Sequence, residues 1–170
     1  MKKEIQLRDL GFLDYQTVWD LQHDLFQQTI DTKIYNRRNQ TTKPIQNYLL
    51  LVEHSPVITL GKSGSADHLL TSKAELEAQG ISFFKIDRGG DITYHGPGQL
   101  VIYFLLDIKK LDFSPKKLVL TIQNFVKDLL KEVSINCNFV EGAPGVYVDK
   151  KKIASIGLRI SKGKTYHGIS

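Results

Sequence analysis

Residues 88–108 read RGGDITYHGPGQLVIYFLLDI, and the architecture turns on this stretch. Its first part, Arg88-Gly89-Gly90-Asp91-Ile92-Thr93-Tyr94-His95-Gly96-Pro97-Gly98-Gln99, holds four glycines, a proline, an arginine and a histidine. Such a run costs backbone entropy and needs positive φ. It therefore reads as a loop between two strands that lets a ligand approach the main chain. A tight connection with an incidental histidine is the competing reading. The second part, Gln99 to Ile108, is apolar, rich in β-formers and long enough for a buried central strand.

Two nucleotide-binding patterns nearby fail. Gly61-Lys62-Ser63 looks like the end of a phosphate loop, but the earlier glycine that motif requires falls at Pro56. Gly96-Pro97-Gly98 lacks the third glycine of a dinucleotide fingerprint and leads into a strand instead of a helix.

Working outward, the apolar residues Tyr15, Val18, Trp19, Leu25, Phe26 and Ile30 keep the helical period and predict an amphipathic helix from Asp14, the N-cap, to Ile30. Asp31 to Lys43 is polar and irregular and reads as a surface loop. Tyr48–Glu53 and Val57–Leu60 read as short strands, Ser72 to Glu75 as a capping box for a short helix ended by Gly80, and Ile81–Ile86 as a strand. Ser114-Pro115 opens a helix whose residues Leu118, Ile122, Phe125, Val126, Leu129 and Val133 share one face. After Gly142-Ala143-Pro144-Gly145, strands at Val146–Val148, Lys152–Ile160 and Thr165–Ser170 form a meander with turns near Asp149-Lys150 and Lys162-Gly163. No repeat or linker interrupts the chain. The expectation is one α+β domain over residues 1–170, a mostly antiparallel mixed sheet flanked by helices.

The chain has 170 residues, is 41% hydrophobic and carries a net charge of +5, which describes a domain with a sizeable core. One cysteine, Cys137, excludes an intrachain disulfide. Met1-Lys2-Lys3-Glu4-Ile5-Gln6 turns polar before an apolar signal region, and no apolar run nears the roughly 20 residues of a membrane span, so a cytoplasmic location without membrane contact is expected. Asn39-Gln40-Thr41 then has little meaning as a glycosylation sequon. The excess of positive charge lies after Gly90, which suits either an acidic partner or a lysine-rich solvated face. The lysines lack interleaved aromatics and nucleic acid is not expected as a partner. His23, His54, His68 and His167 show no metal-ligand spacing and read as structural or surface residues; no metal is expected.

Arg88-Gly89-Gly90-x-x-Thr93-Tyr94-His95-x-x-Gly98-Gln99-x-Val101-x-Tyr103 closely resembles the signature of the octanoyltransferases of lipoate biosynthesis, relatives of the lipoate and biotin protein ligases. Glu53-His54-x-Pro56-Val57-Ile58-Thr59-Leu60-Gly61 is similar to that family's early strand pair, and Ala143-Pro144-Gly145-Val146-Tyr147-Val148 to the run before its lysine. Lys152-Ile153-Ala154-Ser155-Ile156-Gly157-Leu158-Arg159-Ile160 is similar to the lysine strand, with Tyr166-His167-Gly168 after it. The likeness spans nearly the whole chain and implies a biotin/lipoate protein ligase-like fold. It implies an acyltransferase that moves an octanoyl group from octanoyl-acyl carrier protein to a lysine of a lipoyl domain, through a cysteine thioester. The acceptors would be lipoyl domains of 2-oxoacid dehydrogenase complexes and the glycine cleavage H protein.

A thioester donor already has an activated carbonyl, so this chemistry needs neither ATP nor metal and no cofactor is expected. By the resemblance, Lys152 is the catalytic lysine that tunes the cysteine's pKa, a role suited to a partly desolvated amine. On spacing alone it reads instead as a solvated strand lysine beside Lys150 and Lys151, and only the motif reverses that reading. The same resemblance assigns acyl binding to Arg88, Gly89, Gly90, Asp91, Ile92, Thr93, Tyr94 and His95, to Ser155, Ile156 and Gly157, and to Gly168, Ile169 and Ser170. His95 would orient its loop or donate to the acyl carbonyl, unless it is a hydrogen-bonded structural residue. The family's nucleophilic cysteine follows the lysine strand in a Pro-Cys-Gly context, and no residue here matches it. Cys137 reads as a small, half-buried filler. Thr165 to Ser170 reads as a strand cut short, so a truncated chain without the acyl-enzyme step is expected, with an unpaired edge beside Lys152–Ile160. Two other functions fit the sequence: an ATP-dependent lipoate or biotin ligase, and a non-catalytic module that binds acyl groups or a carrier protein.

Overall fold

The computed structural model describes residues 4–170; Met1 to Lys3, part of the polar start noted above, lie outside the described residues. The elements are β1 (Ile5–Leu13), α1 (Tyr15–Asn39), β2 (Asn47–His54), β3 (Val57–Leu60), α2 (Lys73–Ala78), β4 (Ser82–Lys85), β5 (Ile92–His95), β6 (Leu100–Leu105), α3 (Pro115–Glu132), β7 (Asn138–Val140), β8 (Ala143–Val148), β9 (Lys151–Ser161) and β10 (Lys164–Ile169). Seven strands form one sheet in the order β1-β2-β6-β10-β9-β8-β7, and β4-β3-β5 form a second. Every pairing in the large sheet is antiparallel except β1 with β2. This is the α+β, mostly antiparallel architecture that the sequence implies, divided over two sheets.

Strand β6 shows why the helices take opposite faces. Val101, Tyr103 and Leu105 point one way and pack with Val18 and Leu25 of α1 and Leu50 and Val52 of β2. Phe104 and Leu106 point the other way and pack with Leu118 and Ile122 of α3, Val146, Ile156 and Ile169. The period-2 alternation of one apolar strand thus divides the core in two.

The local signals are met where they are strongest. Asp14 caps α1 through a bond from the Thr17 N–H, Ser72 and Glu75 complete a capping box, and Ser114 with Pro115 opens α3. Asp149 and Lys150, and then Lys162 and Gly163, carry positive φ in the two meander turns.

Three expectations are corrected, and a strand that the sequence reading did not propose is added. Asp31–Lys43 is not a loop: α1 runs on to Asn39, where Arg37 and Arg38 lie in its last turn and Gln40 closes it in the left-handed conformation. Cations there complement the helix dipole, and polar residues with adequate propensity sustain a helix already anchored by Ile30. Strand β1 has no clean alternation because a bulge at Leu10-Gly11 shifts its register on β2, with Gly11 at φ 62°. The stretch 88–99 is a loop only in part, since Ile92–His95 is a strand paired antiparallel with β3. Strand β9 is no open edge beyond Ala154: β10 pairs with Ile156–Ser161, and Ser155 exchanges both main-chain bonds with Ser170. In addition, Phe125, Leu129 and Val133 remain 49%, 46% and 64% exposed, because α3 meets the sheet through Leu118, Ile122 and Val126.

One buried charge sits at the far end of the sheet. Lys164 is 1% exposed and its Nζ has no hydrogen-bond partner among the described residues; Asp107 faces it and is itself paired with Lys33 at 2.9 Å. Burial pushes the Lys164 ammonium down to about 8. Below that pH both folded and unfolded chains hold the proton and the fold carries a desolvated cation. As pH rises from 8 the folded state releases its proton first, so stability rises with pH. Urea unfolding is expected to show a positive slope between pH 8 and about 9.5, and Lys164→Met to remove it. The substitution should gain on the order of 3 kcal/mol at pH 7. An unchanged slope in the variant contradicts the assignment.

Candidate functional site

The glycine-rich stretch is organised around Arg88, a guanidinium with 7% exposure and no ion pair among the described residues. Nε donates to the Thr59 hydroxyl, Nη2 to the Thr59 hydroxyl, the Thr59 carbonyl and the Asp91 carbonyl, and Nη1 to the Gly89 carbonyl. The main chain answers in parallel, for the N–H groups of Gly61, Lys62 and Ser63 donate to the carbonyls of Asp91, Arg88 and Gly90. Gly61 has to be glycine because a Cβ there would meet the Gly90 carbonyl and Arg88 Nη1. The Gly61-Lys62-Ser63 run rejected as a phosphate loop is therefore the cradle for the Arg88–Asp91 turn.

On the other side, the Gly89 N–H donates to the Leu158 carbonyl of β9 at 3.3 Å. A Cβ on Gly157 would lie 3.1 Å from both Arg88 Cδ and the Gly89 carbonyl. Strand β9 and the turn thus close against each other and enclose a cavity of about 280 Å³, just below the roughly 300 Å³ at which small-molecule sites begin.

Its walls bring together most of the residues singled out from the sequence. Arg88, Gly89, Gly90, Asp91, Ile92, Thr93 and His95 line it; so do Ser155, Ile156 and Gly157, then Gly168, Ile169 and Ser170, and Lys152. Tyr94 is the exception: its ring turns away over Gly96 and is 48% exposed. Sequence reasoning did not place Tyr15, Val101, Tyr103, Ala143, Pro144 and His167 in the walls. Tyr15 carries no signal beyond core periodicity, whereas Val101 and Tyr103, quoted in the signature, and His167 beside Gly168, on a strand that returns to the glycine-rich turn, could have been suspected.

Lys152 stands across a bulge in the β8–β9 pairing and is exposed, so the desolvation expected for it is not present. Its stem runs over Gly145, where a Cβ would fall 2.7 Å from the Ala154 carbonyl and 3.2 Å from Lys152 Cε. Cys137 is half-buried, packs with Phe139 against the α3 core and is no part of these walls.

Three buried histidines are kept neutral. His54 donates from Nδ1 to the Leu13 carbonyl and accepts at Nε2 from the Tyr103 hydroxyl, and burial lowers its pKa. His95 bonds through Nδ1 to Gln99 Oε1 at 2.7 Å, and burial, with Arg88, His54 and His167 nearby, pushes it down to about 4. His167, on β10 at φ 63°, donates from Nε2 to Asp87, which also pairs with Arg159; burial and the two arginines push it down to about 3. His68 is a surface residue bonded to Asp91, and His23 borders a separate cavity of about 530 Å³ between α1 and the β9–β10 pair. That larger space holds none of the residues that the sequence assigned to catalysis or acyl binding. No group of three or more His, Cys, Asp or Glu able to hold a metal occurs among the described residues.

Residues 14–170 match the family described as lipoyl protein ligase A/B catalytic domain. Among curated relatives, the octanoyltransferase of Christiangramia forsetii is 43% identical over all of this chain and 75% of its own length, and that of Flavobacterium psychrophilum 44% over the same shares. The octanoyltransferase of Shewanella amazonensis is 41% identical over 99% of this chain and 69% of its own length. Among solved structures, a lipoate-protein ligase A bound with ATP superposes with a TM-score of 0.66 at 15% identity, covering 99% of this chain and 66% of that one. LipL1 of P. falciparum in complex with lipoate gives 0.63 at 14% identity over 98% of this chain and 47% of its own. These two likenesses concern the fold.

The neutral histidines set an acid limit. Below about pH 6.5 the unfolded chain binds protons at His95 and His167 that the fold refuses, so stability is lost as pH falls toward 4. Between pH 6.5 and 5 the loss should be on the order of 2 kcal/mol per buried imidazole. Urea titrations at both pH values check it, with His95→Asn expected to shrink the difference by the share of one imidazole and an identical loss in the variant contradicting it.

Proposed function

The chain belongs to the lipoyl protein ligase A/B catalytic domain family and is an acyltransferase; from that premise we propose that it handles the octanoyl group passed from acyl carrier protein to a lysine of a lipoyl domain. The observation that carries this is the convergence of three sequence-distant segments and Lys152 on one cavity. Its apolar side, with Ile92, Val101, Ile156 and Ile169, suits an alkyl chain; its other side offers main chain and the buried Arg88 charge.

A carbonyl lodged beside that charge meets an electropositive, water-poor environment. There, developing negative charge on oxygen is favoured without a metal or a nucleotide. The alkyl chain supplies binding at roughly 0.8 kcal/mol per buried CH₂, so length is selected without a polar handle. Lys152 reaches the cavity along Gly145. Its ammonium can give a proton to the departing thioester sulfur, and the neutral amine so formed can take up the proton shed by the incoming amine. The thioester relay implied by the family resemblance takes a thiol in this cavity, and Cys137, the only cysteine of the 170 residues, stands apart from it. Acidic carrier and lipoyl domains in the cytoplasm are fitting partners for a chain of net charge +5.

The test is binding of octanoyl-acyl carrier protein against the unacylated, hexanoyl and butanoyl forms. Affinity is expected to rise roughly fourfold per methylene up to octanoyl. Intact-mass spectrometry of the mixture should show no hydroxylamine-labile adduct on Cys137. Equal affinity for acylated and unacylated carrier contradicts the proposal, and adenylation of free octanoate by ATP would replace it with a ligase.

A further inference from the structure

We propose that Gln99 fixes the His95 ring as the Nδ1–H tautomer, leaving Nε2 in the cavity as a hydrogen-bond acceptor that holds the N–H or S–H of the attacking nucleophile. The nucleophile's identity rests on the octanoyl-transfer reading; the tautomer does not.

The turn that presents Gln99 is built for the purpose. Gly96-Pro97-Gly98-Gln99 closes with a bond from the Gln99 N–H to the Gly96 carbonyl at 3.1 Å, and Gly98 has φ 83°. Proline second and a positive-φ glycine third are the requirements of a type II turn. The Tyr94 ring lies where a Cβ on Gly96 would be, which packs the turn from outside. The side chain of the last turn residue is thereby returned to the histidine just before the turn, with Oε1 2.7 Å from Nδ1.

An amide oxygen only accepts, so Nδ1 carries the proton; a neutral imidazole has one proton, so Nε2 is a bare lone pair. Neutrality follows from the surroundings: the ring is 6% exposed, stacks at 7° on Tyr15, and faces Arg88, His54 and His167, none of which favours a second cation. Nε2 makes no hydrogen bond among the described residues. It is also not one of the sealed unpartnered atoms, which are Gln22 Nε2, Asp107 Oδ2, Lys164 Nζ and His167 Nδ1. Nε2 thus keeps some exposed surface, on a ring that lines the cavity. The other two buried imidazoles offer nothing comparable, since His54 uses both nitrogens and the free nitrogen of His167 is sealed.

The consequence reverses the role expected from sequence. A bare Nε2 cannot donate to the acyl carbonyl; it accepts from whatever attacks it. In aminolysis of the thioester the C–N bond forms as the C–S bond breaks. The proton shed by nitrogen ends on the departing sulfur, giving amide and thiol. His95 holds that N–H, and thus the direction of the nitrogen lone pair, until the transfer; Gln99 is the positioning residue behind it.

Long-range ¹H–¹⁵N spectra of the uniformly ¹⁵N-labelled chain at pH 7 decide this, with His95 assigned by its loss in His95→Asn. Wild type is expected to show protonated Nδ1 and bare Nε2. Gln99→Glu, which can only accept, keeps that pattern; Gln99→Leu moves the proton to Nε2 or mixes the tautomers while amide dispersion shows an intact fold. A wild-type Nε2–H tautomer overturns the proposal. 1-Octanol, an eight-carbon chain ending in an O–H donor, should then shift the Nε2 resonance in wild type and Gln99→Glu but not in Gln99→Leu. Shifts at the Ile156 and Ile169 methyls without one at Nε2 overturn the acceptor role. No methyl shift at all, with the Nδ1–H tautomer in place, overturns the acyl-cavity reading and the role built on it, while the Gln99 lock itself stands.

Discussion

A buried guanidinium that forms no ion pair among the described residues is the constraint on which the rest of this structure depends. Desolvating a cation is costly, and the fold offsets that cost for Arg88 with the Thr59 hydroxyl and three main-chain carbonyls. Satisfying one side chain thereby fixes the conformation of Gly89 to Asp91, ties it to the end of β3 and brings it so close to β9 that a side chain at Gly157 would crowd it. The cavity is the space left over when these three segments meet around the arginine.

The same charge governs the local electrostatics. It stands behind the neutrality of both His95 and His167, which desolvation alone already favours, and behind the positive potential on the polar side of the cavity. Neutral imidazoles are acceptors or donors according to tautomer, and here the tautomers are set by Gln99 and by Asp87. One buried cation thus shapes the loop, disfavours further cations and makes the site electropositive, which suits the proposed chemistry at an acyl oxygen.

Much of this was legible in the chain. Caps written as Asp14, Ser72-x-x-Glu75 and Ser114-Pro115, and turns written as Asp149-Lys150 and Lys162-Gly163, are local statements that tertiary structure had no reason to override. The glycines and Lys152 were picked out through resemblance, because neither close main-chain approach nor a side chain laid over Gly145 leaves any periodicity in the sequence. What stayed hidden was set by long-range contacts. The tail of α1 looks like a polar loop, Ile92–His95 becomes a strand only because β3 is there to pair with it, and Tyr15 enters the cavity wall because α1 crosses beneath β3. The role of Arg88 is a further case. Its motif was evident, but only the bond pattern shows that its donors are spent on the Thr59 hydroxyl and the protein's own carbonyls.

The account stands on an acyl chain lying in the Arg88-bordered space and not in the larger aromatic cavity beside α1. Intermolecular NOEs from ¹³C-labelled octanoate to the methyl-labelled protein test this directly. The account predicts contacts from the alkyl chain to Ile92, Ile156 and Ile169. Contacts confined to Trp19, Phe26 and Tyr166 would contradict it.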